Sequence, residues 1–324
     1  MRVLVSGGAG FIGSHTAEEL LRRGHEVVVL DNFSTGKRDN IDDMMSALAR
    51  EGIRPGHKFR LVEGDVRDPN AVRECLDRVA GIIHLAAIPA VPRSLEDPAE
   101  TSCVNYIGTI NILEEGRRAG VKRFVCASSS AVYGNTPCLP KSEDMTPQPL
   151  SPYAVGKYAC EIFGKIFVGL YPDLNIVFLR YFNVFGPRQD PSSGYAAVIP
   201  AFISNILRNE PPVVFGDGHQ TRDFTFVKDA VQATLLSLEM GQGFAVYNVA
   251  RDSQTTLLEL LEVIYQLAGK KIEPVFTEPR PGDVLHSRAS LERIGREIGY
   301  VPRYSLEEGL ELTVRWYEER LQNG

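Results

Sequence analysis

The chain has 324 residues, 44% hydrophobic and 23% charged, an ordinary globular usage that excludes a disordered, collagen-like or low-complexity protein. Lys and Arg number 35 against 41 Asp and Glu, and the net charge of −6 offers no overall positive field for nucleic acid or anionic lipid. Apolar runs fall far short of the ~20 residues that cross a bilayer, and Arg2-Val3-Leu4-Val5-Ser6 opens the sequence without a charged leader. A soluble, cytoplasmic protein is expected.

In chain order, short β-branched runs alternate with amphipathic stretches. Arg2–Ser6, Glu26–Leu30, Lys58–Glu63, Gly81–Leu85, Arg123–Ala127 and Asn175–Leu179 predict buried parallel strands. Gly10–Arg23, Asn70–Val79, Pro98–Ala119 and Pro152–Leu170 predict helices, and Asp42–Arg50 is a further helix-like stretch. This alternation predicts an α/β fold with a doubly wound parallel sheet. Past Arg180 the rhythm breaks into Pro- and Gly-rich loops. Short helices (Ala196–Arg208, Thr256–Leu267, Leu291–Ile298, Leu306–Arg320) and strand fragments (Val213–Phe215, Val246–Val249) there predict a smaller, irregular domain. The expected boundary separates 1–174, with part of 219–250 returning to it, from 175–324.

Cys75, Cys103, Cys126, Cys138 and Cys160 stand singly, with no CxxC pair, and read as reduced thiols packed in or near the core. The six histidines show no HExxH face, so no metal site is expected. His84, ending an apolar strand, reads as a structural histidine.

Gly7-Gly8-Ala9-Gly10-Phe11-Ile12-Gly13 joins the first strand to the first helix. Glycines there allow a tight turn and bare backbone beside a pyrophosphate, and the helix N-terminus supplies N–H groups to the phosphates. Asp31 ends the second strand ~20 residues on, where a carboxylate accepts the adenine ribose hydroxyls and repels a 2′-phosphate. The pattern is a Rossmann fingerprint favouring NAD over NADP. Asp65-Val66, after the third strand, is placed to meet the adenine edge.

Tyr153 and Lys157 stand four residues apart, on one face of the helix that Ser151-Pro152 begins. A phenol acting as a base near neutrality needs about 4 kcal/mol of stabilisation. An ammonium ~5 Å away contributes about 3 kcal/mol at an effective dielectric of ~20, and an oxidised nicotinamide ring adds to it. Upstream, Ser128-Ser129-Ser130 leaves the fifth strand at its carboxyl end, where open α/β sheets bind ligands. A hydroxyl there can relay the proton of a substrate alcohol.

With these motifs the chain resembles, essentially end to end, an extended short-chain dehydrogenase/reductase. Within that superfamily it is similar to the nucleotide-sugar 4-epimerases of the UDP-galactose and UDP-N-acetylglucosamine 4-epimerase type. The likeness extends through His84-Leu85-Ala86-Ala87, Tyr181-Phe182-Asn183-Val184-Phe185-Gly186-Pro187-Arg188, Phe215-Gly216-Asp217-Gly218 and Arg280-Pro281-Gly282-Asp283.

The resemblance implies a retained NAD held by Gly7, Gly10, Phe11, Ile12, Gly13, Asp31, Asn32, Ser34, Gly36, Asp65, Val66, Leu85, Ala86, Ala87, Asn105, Ser128, Tyr153, Lys157 and Tyr181, with Asn105 on the nicotinamide side. It places the proton-relaying hydroxyl on Ser129, three residues before Val132-Tyr133-Gly134, with Ser128 and Ser130 as alternatives. For a UDP-sugar it implies Asn183 and Arg222 at the diphosphate, Arg280 and Asp283 at phosphate and uridine ribose, and Phe215 near the uracil. Ser130, Val198 and Gln220 complete the substrate set. Pro89 stands where some members carry a lysine for the cofactor pyrophosphate.

The implied reaction inverts carbon 4 of a UDP-hexose through a transient 4-keto sugar. Ser130 and Ala131 stand where related 4,6-dehydratases carry an Asp-Glu pair, which argues against elimination. UDP-glucuronate 4-epimerisation or decarboxylation is the alternative of the same class, and a non-catalytic NAD(H)-sensing protein is the alternative of another. In the resembling family a residue seven after the arginine of Arg280-Pro-Gly-Asp lies beside the sugar's C2 substituent. Here it is Ser287, small enough to admit N-acetyl groups. Apolar residues over wide arcs of Pro98–Ala119 and Pro152–Leu170 match the helices through which relatives form homodimers.

Overall fold

Thirteen strands are described: β1 (Arg2–Ser6), β2 (Glu26–Asp31), β3 (Phe59–Glu63), β4 (Gly81–His84), β5 (Arg123–Ser129), β6 (Asn175–Tyr181), β7 (Val184–Phe185), β8 (Val213–Phe215), β9 (Thr221–Arg222), β10 (Thr225–Phe226), β11 (Phe244–Val249), β12 (Thr255–Thr256) and β13 (Val275–Thr277). The α-helices are α1 (Phe11–Arg22), α2 (Arg38–Arg50), α3 (Pro69–Glu74), α4 (Val91–Glu96), α5 (Pro98–Ser102), α6 (Gly108–Arg118), α7 (Pro152–Leu170), α8 (Val198–Leu207), α9 (Val227–Met240), α10 (Leu257–Ala268), α11 (Glu292–Ile298) and α12 (Leu306–Asn323). They come from a computed structural model that describes residues 1–191, 197–279 and 284–323.

Seven strands form one parallel sheet in the order β11-β6-β5-β4-β1-β2-β3. Their near-continuous Val, Ile, Leu and Phe runs follow from burial on both faces. On one face Val3, Val5, Val27 and Val29 pack with Ala17, Leu20 and Leu21 of α1 and with Ala230, Val231 and Leu235 of α9. On the other, Leu4, Ile82, Phe124 and Phe178 pack with Val72, Ile112, Leu113 and Phe167. A separate core joins α8, α10 and α12 through Phe202, Ile203, Leu260, Ile264, Leu310 and Val314. The strand order reverses between β1 and β4, the position at which doubly wound sheets open a ligand crevice.

Several expectations need correction. The boundary between 174 and 175 cuts the sheet, because β6 is hydrogen-bonded between β5 and β11. After residue 219, α9 lies against α1 and β11 forms the sheet edge. The helix expected over Asn70–Val79 ends at Glu74, where Cys75 and Leu76 donate to the carbonyls three residues back and Arg78 adopts a φ of 53°. The helix expected over Pro98–Ala119 is broken by a wide π-turn, Cys103–Ile107. There the Asn105 carbonyl accepts the Thr109 hydroxyl at 2.6 Å and the Cys160 thiol at 3.3 Å. Cys75, Cys126 and Cys160 are buried, but Cys103 and Cys138 are exposed.

The second lobe is strapped to the first through residues 187–190. The Pro187 carbonyl meets His15 Nε2 of α1 at 2.9 Å, Arg188 forms a buried ion pair with Glu18 of α1, and Lys37 pairs with Asp190 at 2.7 Å.

Candidate active site

The glycine loop runs from β1 into α1. A Cβ on Gly13 would lie 2.0 Å from the Gly7 carbonyl oxygen, and one on Gly7, whose φ is +73°, would lie 2.5 Å from the backbone nitrogen of Ala86. The loop therefore rests against the backbone of Leu85 and Ala86, just past the end of β4. Its N-cap, Gly10, has no side-chain acceptor and the first turn of α1 holds no acid. The turn's N–H groups and positive dipole end are left for an anion. This cradle fits the pyrophosphate of a dinucleotide.

Asp31 is buried at the end of β2, its carboxylate accepting the backbone N–H groups of Ala9 and Phe33, each at 2.9 Å. Burial pushes its carboxyl up, and the two donors hold it down. Gly36 keeps space beside it, since a Cβ there would lie 2.8 Å from Asp31 Oδ1. Asn32 accepts the Ser34 N–H at 3.0 Å and donates to Asp65 at 2.8 Å. The Arg67 guanidinium pairs with the same carboxyl and holds it down at about 2. Val66 is buried beside it. Asn105 spans the backbone of Ile88, accepting its N–H at 2.8 Å and donating to its carbonyl at 3.0 Å, and so fixes the loop after β4. His84 is structural: Nδ1 meets Ser6 Oγ at 2.6 Å and Nε2 meets Thr109 Oγ1 at 3.0 Å.

Ser151 caps α7 by accepting the Ala154 N–H at 3.2 Å, and Pro152 follows at the first helical position. The cap aims the helix at the carboxyl end of β5. Tyr153, 9% exposed, and Lys157, 3% exposed, share its inward face. Lys157 Nζ lies 6.0 Å from the centre of the Tyr153 ring and donates to the Ala127 carbonyl at 2.9 Å. At the end of β5 successive side chains face opposite ways. Ser129 Oγ accepts the Ala131 N–H at 3.1 Å and starts the 3-10 turn Ser130–Tyr133. Ser128 instead donates its hydroxyl to Glu161 of α7 at 2.5 Å, inside the protein. Of the three serines, Ser128 is thus the one whose hydroxyl proton is committed to a buried carboxylate. The Tyr181 hydroxyl meets Thr234 Oγ1 of α9 at 2.7 Å, and Thr234 in turn donates to the Ala230 carbonyl at 2.7 Å.

Ser129 pairs in register with Tyr181, and Asn183 follows two residues later. Asn183, Val198, Phe215, Gln220 and Arg222, all assigned to substrate from sequence, line one cavity of about 250 Å³ together with Gln189 and Phe224. Gln220 donates to the Phe215 carbonyl at 2.5 Å, and Arg222 donates to the carbonyls of Thr221 and Leu285 at 3.0 and 3.3 Å. Ser287 lies outside this lining. It is buried beside β9, its N–H bonded to the Thr221 carbonyl at 3.1 Å. Arg280 and Asp283 fall outside the described residues.

Three contributors escaped the sequence reading. Glu161 and Arg180 form a buried ion pair behind the carboxyl end of β5. Asp223, fully buried, accepts the N–H groups of Arg251 (3.0 Å), Ser253 (3.3 Å) and Ala289 (3.1 Å), which gathers two distant segments behind Arg222. Burial pushes its carboxyl up to about 6. The available signal was a charge inside an otherwise apolar run, as at Arg180 in Ile176–Tyr181.

Residues 3–250 match the NAD dependent epimerase/dehydratase family. The chain belongs to that family. It is 38% identical over 324 residues to the UDP-glucose 4-epimerase of Mycolicibacterium smegmatis, covering 99% of this chain and 100% of that one. The UDP-glucose 4-epimerase of Thermotoga maritima, solved with UDP-glucose, superposes with a TM-score of 0.91 at 36% identity, covering 99% of this chain and 100% of that chain. The UDP-N-acetylglucosamine 4-epimerase of Methanobrevibacter ruminantium, in complex with UDP-N-acetylmuramic acid, also superposes at 0.91, with 37% identity and 98% of each chain covered. The protein is thus an NAD-dependent enzyme of the nucleotide-sugar epimerase class. Among the described residues, no helix is long and apolar enough to cross a membrane.

Proposed function

We propose that this enzyme inverts carbon 4 of UDP-hexoses, interconverting UDP-glucose with UDP-galactose and UDP-N-acetylglucosamine with UDP-N-acetylgalactosamine. The observation that carries the reading is Tyr153 and Lys157, buried on the capped face of α7 beside the strand end that holds Ser129. NAD, when bound, supplies the hydride acceptor and donor. Tyr153 takes the proton of the sugar's O4 hydroxyl, Lys157 holds positive charge beneath the phenol, and Ser129 orients that hydroxyl. The 4-keto sugar turns, and Tyr153 returns the proton after the opposite face has been reduced.

Turning requires a sugar held loosely on a nucleotide held firmly. Asn183 and Arg222 anchor the diphosphate and Phe215 covers the base, all on the wall of one cavity. Arg280 and Asp283 belong to the same anchoring set by resemblance. Val155, Ile162, Ile166 and Leu170 form an exposed apolar stripe along α7, and Ile107 adds to it from the π-turn. In this reading that stripe is the seam of a homodimer.

Incubation with a panel of UDP-hexoses, UDP-N-acetylhexosamines and UDP-uronates, with products identified by NMR, tests the proposal. Formation of the C4 epimers of the neutral and N-acetylated sugars is the expected result. Turnover of UDP-glucuronate alone would replace it.

A further inference from the structure

Lys157 and Glu161 are four residues apart on α7 and both only 3% exposed. That spacing places side chains side by side and ordinarily invites an ion pair. The pair is not made. Glu161 Oε1 accepts the Ser128 hydroxyl at 2.5 Å and Arg180 Nε at 2.9 Å, while Oε2 accepts Arg180 Nη2 at 2.6 Å. Arg180 is itself held by Tyr133, its Cζ lying 4.7 Å from the ring centre, and the Tyr133 hydroxyl donates to Asn248 at 2.7 Å. Lys157 is left with a neutral partner, the Ala127 carbonyl. A carbonyl orients an ammonium without cancelling its charge, whereas a carboxylate would cancel most of it.

We propose that Arg180 is a positioning residue: by binding both oxygens of Glu161 it withholds that carboxylate from Lys157 and leaves the lysine's charge directed at the Tyr153 phenol. The proposal rests on Tyr153 being the base.

The other titratable groups around the pair do not substitute for this device. His84 on β4 is held neutral, its pKa lowered to about 3 by burial. Burial pushes the Cys126 thiol of β5 and the Cys160 thiol of α7 up, so both stay uncharged. Burial also raises the Tyr133 hydroxyl to about 12. Arg93 of α4 is paired with Glu100 of α5 at 3.0 Å.

The test is a pH titration of tyrosinate absorbance in the NAD-loaded enzyme, taken as the difference between each protein and its Tyr153→Phe counterpart, beside the pH profile of turnover. Arg180→Met frees Glu161, and the Tyr153 transition is expected to move up by about one pH unit or more. Glu161→Gln combined with Arg180→Met removes the competing carboxylate as well and should return the transition to within about half a unit of the parent. Arg180→Lys, a single ammonium without the bidentate fork, should give an intermediate shift.

Equal shifts in the single and double variants would mean general loosening and overturn the proposal, as would no shift in Arg180→Met. If Arg180→Met does not fold, because a buried carboxylate has lost its partner, Arg180→Lys decides alone: an upward shift supports the proposal and none overturns it. An active Tyr153→Phe enzyme would remove the base assignment itself. An inactive one with unshifted Arg180 variants removes only this role for Arg180.

Discussion

Lys157 Nζ sits 2.9 Å from the carbonyl oxygen of Ala127, two residues before Ser129 on the same strand. One hydrogen bond therefore ties the cation beneath Tyr153 to the segment that presents the serine. Helix α7 and strand β5 are joined at that point, one turn from Tyr153 and two residues from Ser129.

Tyr153→Phe removes the proposed base and leaves that tether in place. Turnover should fall by about 10²–10⁴, the usual loss for a missing general base. Circular dichroism and the content of bound NAD should stay at parental values. Near-normal turnover would show that another group takes the proton.

Ser287→Tyr tests the selection of sugars. The residue lies beside β9, whose Arg222 lines the cavity, and a tyrosine adds bulk on that side. Activity on the N-acetylated pair should drop at least about tenfold relative to the glucose–galactose pair, the discrimination a steric clash in a pocket supplies. Equal losses on both pairs would dismiss the gate.

Ile166→Glu places a charge in the middle of the α7 stripe. Ile166 and Leu170 are 56% and 67% exposed in the single chain, an apolar cost that a partner helix would relieve. Sedimentation should show a dimer for the parent and a monomer for the variant. A parent that sediments as a monomer would exclude the seam.

Acid should weaken the fold through His84. Burial lowers its pKa from 6.5 to about 3, so the unfolded chain binds the proton first as pH falls. Its contribution is complete above pH 6.5 and is lost progressively below it. At pH 5 the deficit is about 2 kcal/mol. Urea unfolding at pH 7 and pH 5 should show a smaller difference in His84→Gln than in the parent, and an unchanged difference would contradict the buried neutral imidazole.

What the sequence disclosed was whatever depends on short-range pattern. The strand–glycine–helix junction at Gly7–Gly13 and the Tyr153–Lys157 spacing are local, and the structure places each at the carboxyl edge of the sheet. What stayed hidden depends on partners distant along the chain. Asp31–Phe33 is a contact two residues apart, but Glu161–Arg180 joins a helix to a strand 19 residues on, and Asp223 meets Ala289 66 residues on. The π-turn at Cys103–Ile107 was invisible for the same reason, since Cys160 of another helix shares in its cause. Of the three consecutive serines, only tertiary contacts distinguish Ser128 from Ser129.

The strap at residues 187–190 gives the two lobes a shared buried charge pair. Glu18 lies two turns into the helix that begins at the phosphate cradle, and its counterion Arg188 follows closely on the strand carrying Val184 and Phe185 of the cavity wall. The ion pair therefore joins the helix behind the glycine loop to the chain that leaves the cavity wall. A substitution at either Glu18 or Arg188 would leave the other charge buried without its counterion, and its cost would fall on the glycine-loop helix and the cavity wall together.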